Sequence, residues 1–282
     1  MLVTIYGANG FIGKHLDTAF RIAKYQVISK GRNSLRDKSD NLISKLGGED
    51  TRVVINLAGS WHKNTDEQLV ENNYDFPVKV LQKELAVKGK LIWIQASSYT
   101  QLYKETYFKD YNQYSVLKSL LSEKLIYEST RNKNFYLVDV FMPHIIGPGE
   151  HSWRVFSKLA LSYIENKSLD MTSGSAVIPI SDVRDLTSSI VSIVAENKNQ
   201  VYSKVQRVYP DVTAVRSLKV HIEESLPHIF PYCRFGKLKD RENEFTDPNV
   251  LCEFYKLNPK FYPLSTSVND QVIQLKKERN LT

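Results

Sequence analysis

Cysteine is scarce in this chain: Cys233 and Cys252 are the two among 282 residues, with neither metal-ligand spacing nor a companion pair. That argues against a zinc module or a disulfide scaffold and leaves two reduced thiols. No apolar run approaches the roughly 20 residues a membrane span needs. A strand-like run beginning at residue 2 leaves no room for a signal peptide, so the expectation is a cytoplasmic protein. Internal repeats and low-complexity linkers are missing, and nothing resembles a nucleic-acid-binding module. What is present is an ordinary apolar fraction of 42% in a chain long enough for a large core, which excludes disorder. The net charge of +7 favours anionic ligands, yet the lysines are dispersed, with Lys276 and Lys277 near the end, and read as a solvated surface.

The N-terminus carries the strongest signal. The apolar run 2–6 leads into Gly7-Ala8-Asn9-Gly10-Phe11-Ile12-Gly13 and then an amphipathic, helix-like segment with Phe11, Ile12, His15 and Leu16. Glycines placed this way permit a tight turn, close backbone approach to a pyrophosphate and close helix-to-strand packing, while the helix start offers unpaired N–H groups. This predicts a dinucleotide-binding turn. At the end of the second predicted strand, Val27-Ile28-Ser29-Lys30-Gly31-Arg32, the acid that would bond the adenine ribose of NAD is lacking. Lys30 and Arg32 stand there instead, and a guanidinium suits the extra 2′-phosphate, so NADP(H) is favoured over NAD(H), against the alternative of two solvated cations.

Tyr114 and Lys118 stand four apart in a helix-like segment that continues through Leu121, Leu125 and Ile126, and so share one face. A neighbouring ammonium favours phenolate and draws a tyrosine down from about 10, so that it can exchange a proton with a carbonyl oxygen near neutral pH. Taken alone, the pair reads equally as a half-buried tyrosine and a solvated lysine on an amphipathic helix. Upstream, Leu91-Ile92-Trp93-Ile94-Gln95-Ala96-Ser97-Ser98 reads as a buried strand ending on two hydroxyls, where open parallel sheets place their ligands. Adjacent strand residues point to opposite faces, so only one of the two serines can face a site.

Glycine turn, serine-ended strand and Tyr-x-x-x-Lys in this order resemble the extended short-chain dehydrogenase/reductase superfamily, in its nucleotide-sugar branch, over nearly the whole chain. The resemblance implies an α/β fold: a Rossmann-type doubly wound parallel sheet with a smaller, interleaved C-terminal substrate lobe. It makes Ser98 (by spacing, rather than Ser97) the polarising donor, Tyr114 the proton donor, and Lys118 the holder of the nicotinamide ribose. It also places Gly7, Asn9, Gly10, Phe11, Ile12, Gly13, Leu57, Ala58, Gly59, Asn73 and Ala96 beside the cofactor. Gly147-Pro148 and Asp185 match further landmarks. Each has a plainer reading: Asn73 as a helix-surface residue, Gly147-Pro148 as turn chemistry, Asp185 as a cap. A homodimer through the helix carrying Tyr114 and Lys118 is the habit of such proteins.

Pro143, Gly147 and Pro148 break regular structure after a strand over 135–141. The expected division is therefore a nucleotide domain over 1–148, to which 176–198 returns, and a substrate lobe over 149–282. The tract 31–50 is polar and short for the strand and helix many relatives carry there. Phe235-Gly236-Lys237-Leu238, with Arg241, Asn243 and Glu244, is similar to the substrate-lobe signature of bacterial nucleotide-sugar 4-ketoreductases such as the CDP-abequose and CDP-paratose synthases. Arg241 suits a diphosphate there, or else sits in a salt-bridge-rich loop beside Asp240 and Glu242. His62 and His144 are the remaining candidates for sugar contacts. His144 stands where relatives carry asparagine, and Phe141 where they carry arginine. Tyr99 and Thr100 replace the acid pair of the 4,6-dehydratases. The expectation is NADPH-dependent reduction of the C4 keto group of a nucleoside-diphosphate 4-keto-6-deoxyhexose for bacterial surface glycans such as O-antigen or capsule. The alternatives are a 4-epimerase with retained NAD and a non-catalytic NADP-binding sensor or scaffold.

Overall fold

The first strand, β1 (Leu2–Tyr6), is buried at all five positions, as expected of a strand covered on both faces. The computed structural model describes residues 1–31, 51–61, 65–107 (backbone alone for 105–107), 112–198, 204–241 and 244–280. Helix α1 (Phe11–Ile22) turns Phe11, Gly13, Leu16 and Phe20 inward, the spacing of one helix face. It is followed by β2 (Gln26–Lys30), β3 (Thr51–Asn56), α2 (Asp66–Val70), a π-turn at Glu71–Asp75 and α3 (Phe76–Leu85). Then come β4 (Lys90–Ser98), α4 (Leu102–Tyr107), α5 (Gln113–Arg131) and β5 (Phe135–Met142).

The next elements are β6 (His144–Ile146), α6 (Val155–Glu165), β7 (Leu169–Asp170), β8 (Val177–Asp182), α7 (Val183–Asn197) and β9 (Lys204–Val208). The chain ends with β10 (Ala214–Ser217), α8 (Leu218–Ser225), β11 (Cys233–Arg234), α9 (Pro248–Cys252) and α10 (Leu264–Glu278).

Six strands form one sheet in the order β2-β1-β3-β4-β5-β9, and every pairing in it is parallel. Strand order reverses at β1, between β2 and β3, and it is outside the carboxyl ends of strands at such a switch point that open α/β sheets bind ligands. Under the sheet, Tyr6, Val54, Trp93, Leu121, Leu125, Phe135 and Leu137 share one hydrophobic cluster with Val80 and Leu81 of α3. The fold is thus the α/β doubly wound class expected from the sequence. Strand β2 is the outer strand among the described residues, and 32–50 lie outside them.

The chain divides into two units, one drawn from 1–104, 110–142 and 187–208, the other from 105–109, 143–186 and 209–282. The lobes interleave, but the boundary falls at 142/143 rather than at 148, and the returning segment is 187–208 rather than 176–198. Pairing explains both corrections. Strand β6 lies immediately after Pro143 and joins β8 and β10 in a separate three-stranded sheet, order β10-β8-β6. What rejoins the first unit is most of α7 and then β9, paired to β5.

Candidate active site

The two turns at the sheet's switch point pack directly on each other. Gly7 has φ +87, and a Cβ there would sit 3.0 Å from Ala58 N and 3.0 Å from Leu57 C, so no side chain fits. A Cβ on Gly13 would lie 2.3 Å from Gly7 O, which is how α1 approaches β1 so closely. Leu57 N donates to Tyr6 O at 2.9 Å, and Ala58 N donates to Asn56 Oδ1 at 3.2 Å. Gly10 caps α1 with no side-chain bond, and no acid stands in the first turn. Backbone N–H groups at an uncapped helix start next to a cradle that a Cβ would fill are a setting for a dinucleotide pyrophosphate, and the residues fit that group.

A second group of side chains gathers beside the end of β4. Lys118, on α5, is 3% exposed; its Nζ donates to Ala96 O at 3.0 Å and lies 5.6 Å from the Tyr114 ring centroid. Burial pushes the Lys118 ammonium down to about 8, and the charge of Asp139 opposes the fall. The turn after β3 closes over this lysine. A Cβ on Gly59 would meet Asn73 Oδ1 at 2.9 Å and Lys118 Nζ at 3.3 Å.

Asn73 lies on the π-turn and holds the next residue of the same loop at both ends. It accepts from Ser60 N at 3.1 Å and donates to Ser60 O at 2.8 Å. Asn72 adds a bond to Ser60 Oγ at 3.0 Å. π-turns recur at functional sites because the extra residue re-aims its neighbours, and here consecutive asparagines reach one serine. The loop then presents Trp61 edge-on to Tyr114, with ring centroids 4.6 Å apart and planes at 70°.

The two serines part company as the alternation of a strand requires. Ser97 Oγ donates to Asp139 Oδ1 at 2.5 Å and lies 3.1 Å from Ser122 Oγ. Ser98 Oγ lies 2.9 Å from Thr100 Oγ1, which in turn accepts from Ser115 Oγ at 3.0 Å. A hydroxyl relay therefore runs from Ser98 to the residue after Tyr114. Thr100 N also donates to Ser98 Oγ at 3.2 Å, so that hydroxyl starts the short helical turn after β4.

Of the residues expected from the sequence, the structure brings Gly7, Asn9, Gly10, Phe11, Ile12, Gly13, Leu57, Ala58, Gly59, Asn73, Ala96, Ser98, Tyr114 and Lys118 into one unit. Lys30, expected beside a 2′-phosphate or else in solvent, is 4% exposed, with Nζ 5.6 Å from the Tyr6 ring centroid. Arg32 and His62 lie outside the described residues, as does Asn243. His144 and exposed Arg241 belong to the second unit. There the His144 ring packs edge-on against Phe156 at 5.6 Å, and its Nε2 stands 4.0 Å from Glu150 Oε1. Arg154 Nε lies 2.7 Å from the same oxygen, an ion pair without a hydrogen-bonding angle. Of the matching landmarks, Gly147 has φ +133 and packs on Val183, and Asp185 accepts from Tyr262 N at 2.8 Å.

Trp61, Asp139 and Glu150 take part in these arrangements without having been singled out from the sequence, and Thr100, noted there only as standing in place of an acid, joins the hydroxyl relay. Only the acid inside the otherwise apolar run 135–142 carried a local signal.

A parallel sheet with a glycine turn at its switch point and a Tyr-x-x-x-Lys helix beside β4 defines a dinucleotide-binding α/β enzyme. Over residues 3–205 the sequence matches the NAD dependent epimerase/dehydratase family, and the chain belongs to that family. It is 23% identical over 265 residues to the CDP-abequose synthase of Salmonella typhimurium strain LT2, covering 86% of this chain and 87% of that protein. Among solved structures it is similar to UDP-glucuronic acid 4-epimerase from Bacillus cereus in complex with UDP-glucuronic acid and NAD (TM-score 0.72, 20% identity, 99% of this chain and 100% of that one). It is also similar to dTDP-glucose 4,6-dehydratase from Bacillus anthracis in complex with NAD (TM-score 0.70, 14% identity, 99% of this chain and 98% of that one). At these identities the structural likeness concerns the fold. Among the described residues no helix is long and apolar enough to cross a membrane, and no group of three or more His, Cys, Asp or Glu is placed to hold a metal ion.

Proposed function

We propose that this protein reduces the C4 keto group of a nucleoside-diphosphate 4-keto-6-deoxyhexose with NADPH. The observation that carries the reading is the cluster of Tyr114, Lys118 and Ser98 at the end of β4, with Tyr99 and Thr100, rather than an acid pair, following the serine. The similarity to CDP-abequose synthase supports the same substrate class.

The cofactor, when bound, supplies the hydride that goes to C4. The Tyr114 hydroxyl gives its proton to the carbonyl oxygen as that oxygen becomes an alkoxide, and the tyrosine is left as phenolate until solvent restores it. Ser98 Oγ donates a hydrogen bond to the same oxygen and stabilises its developing charge. Lys118 holds the nicotinamide ribose and favours the phenolate, which needs its ammonium charged. Trp61 covers one side of the phenol.

The preference for NADP(H) rests on Gly31, which follows Lys30 where an acid would bond the adenine ribose, and on Arg32. With Lys30 Nζ set against the Tyr6 ring, the reading assigns the 2′-phosphate to Arg32, which lies outside the described residues.

The test is oxidation of NADPH and of NADH, followed by absorbance, with purified protein and CDP-, dTDP- and GDP-linked 4-keto-6-deoxysugars. Turnover is expected with one nucleotide series, faster with NADPH, and lost by roughly 100-fold or more in Tyr114→Phe, the usual scale for general acid catalysis. Binding of NADPH without turnover on any sugar would overturn the reductase reading in favour of an epimerase or a sensor.

A further inference from the structure

Strand β5 is buried at all eight positions and apolar at seven of them, yet its fifth residue is Asp139. An ionisable group in the middle of a parallel sheet is costly unless it is paired. Its partners come from every element around it. From β4, Ser97 Oγ donates to Oδ1 at 2.5 Å. Burial pushes the Asp139 carboxyl up, and the Ser97 hydroxyl, the charge of Arg207 on β9 and the charge of Lys118 on α5 oppose the rise; Arg207 is the register partner of Asp139, and Ser122 on α5 lies 3.1 Å from Ser97 Oγ. Oδ2 has no hydrogen bond.

The placement relative to Lys118 is specific. Lys118 and Ser122 are i,i+4 on α5 and face the same strand. Lys118 Nζ is bound to Ala96 O, and Asp139 to Ser97 Oγ, so the two charges dock on consecutive residues of β4. Among the described residues, Tyr114 on its own helix and, across Gly59, the uncharged amide of Asn73 also lie near Lys118. Burial removes solvent from the ammonium, and Asp139 is the charge that counters this.

We propose that Asp139 is a positioning residue for Lys118: a buried carboxylate, held by Ser97, that keeps the ammonium charged and fixed for the cofactor ribose and for Tyr114. The inference deepens the reductase reading and rests on it for the role of Lys118. Asp139 touches neither cofactor nor substrate; it acts through the lysine.

The experiment is cofactor affinity, read by NADPH fluorescence between about pH 6 and 9, in wild type, Asp139→Asn, Ser97→Ala and Lys118→Met. This readout needs no turnover, and Asp139→Asn keeps the shape and an acceptor for Ser97. Wild-type affinity is expected to fall on the alkaline side as Lys118 loses its proton, and Lys118→Met to abolish that fall. In Asp139→Asn the midpoint moves down by about one pH unit, which weakens binding roughly threefold near pH 7.5 and leaves it close to wild type near pH 6. Ser97→Ala shifts it in the same direction by less, and serves if Asp139→Asn does not fold.

An unchanged midpoint in both variants overturns the proposal. A shifted midpoint in a protein that turns over no sugar leaves the proposal standing and removes the reductase reading. An unchanged midpoint with active turnover does the reverse.

Discussion

Two buried acids of the same unit, Glu84 and Asp139, differ in how completely they are matched. Glu84 accepts a hydrogen bond from the Tyr6 hydroxyl on one oxygen at 2.9 Å and from Arg52 NH1 on the other at 2.6 Å. Arg52 NH2 goes on to Glu84 O and Val87 O at 3.0 and 3.1 Å. This knot ties β1 and β3 to α3 with both charges excluded from water. Asp139 is answered by one serine hydroxyl, that of Ser97, and, through its charge, by Lys118 and Arg207, and it leaves one oxygen without a hydrogen bond. With both of its oxygens bonded, Glu84 serves the fold, although Arg52 Nε has no hydrogen bond. Asp139 acts on a lysine that burial draws down to about 8, and serves chemistry.

The strongest way to break the comparison is to unmatch the first region. Glu84→Ala strands Arg52 in the core and should cost about 3–5 kcal/mol of stability, read as a lowered denaturant midpoint, with turnover per folded molecule unchanged. Replacing the knot entire, as Arg52→Met, Glu84→Leu and Tyr6→Phe together, should cost far less, since apolar residues of similar volume avoid the desolvation penalty. A triple variant as damaged as Glu84→Ala would mean that the knot contributes net stability rather than a specified geometry.

The same contrast marks what the sequence could and could not tell. Strands β1, β4 and β5 were legible because most of their residues are apolar, and the Gly7–Gly13 turn and the Tyr114–Lys118 spacing because both are local. The role of Asp139 was not legible, since nothing in the chain order says that Ser97 will meet it. Lys30 read as a 2′-phosphate contact, or else a solvated cation, until the pairing of β2 with β1 set it beside Tyr6. The lobe boundary was misplaced by six residues' worth of turn chemistry. Gly147-Pro148 is the stronger breaker in sequence, whereas sheet pairing already changes hands at Pro143.

Glu150 in the second unit carries the rule to a third buried acid. Burial raises its carboxyl to about 7, against the help of Arg154, Gln271 and Ser157. Unfolded, a glutamate titrates near 4.3, so between about 4.3 and 7 the folded chain keeps a proton that the unfolded chain has released. Stability therefore falls as pH rises through that window and stays lower above it. Glu150→Gln should be more stable than wild type by about 1–3 kcal/mol near pH 8 and little different near pH 4. His144 works in the opposite sense. Burial holds it well below 6.5, so the unfolded chain takes up a proton that the folded chain refuses, and stability is lost as pH falls below about 6.5. Denaturation curves across pH that show no difference between Glu150→Gln and wild type would mean that the ion pair with Arg154 already offsets burial, and would move Glu150 into the class of Glu84.

The smallest expected effect separates orientation from charge. Trp61 contributes no charge to Tyr114; it meets the ring edge-on at 4.6 Å from a loop that Asn72 and Asn73 hold through Ser60. Such an aromatic pair is worth about 0.5–1.5 kcal/mol beyond burial, so Trp61→Ala should lower kcat roughly two- to tenfold, with Trp61→Phe recovering most of it. Because the ring acts on the phenol and not on the lysine, the alkaline midpoint of cofactor affinity should stay at its wild-type pH in Trp61→Ala while it moves in Asp139→Asn. If Trp61→Ala moves that midpoint as well, the loop that carries Gly59 against Lys118 has shifted with it, and the aromatic contact and the buried charge are parts of one device rather than two.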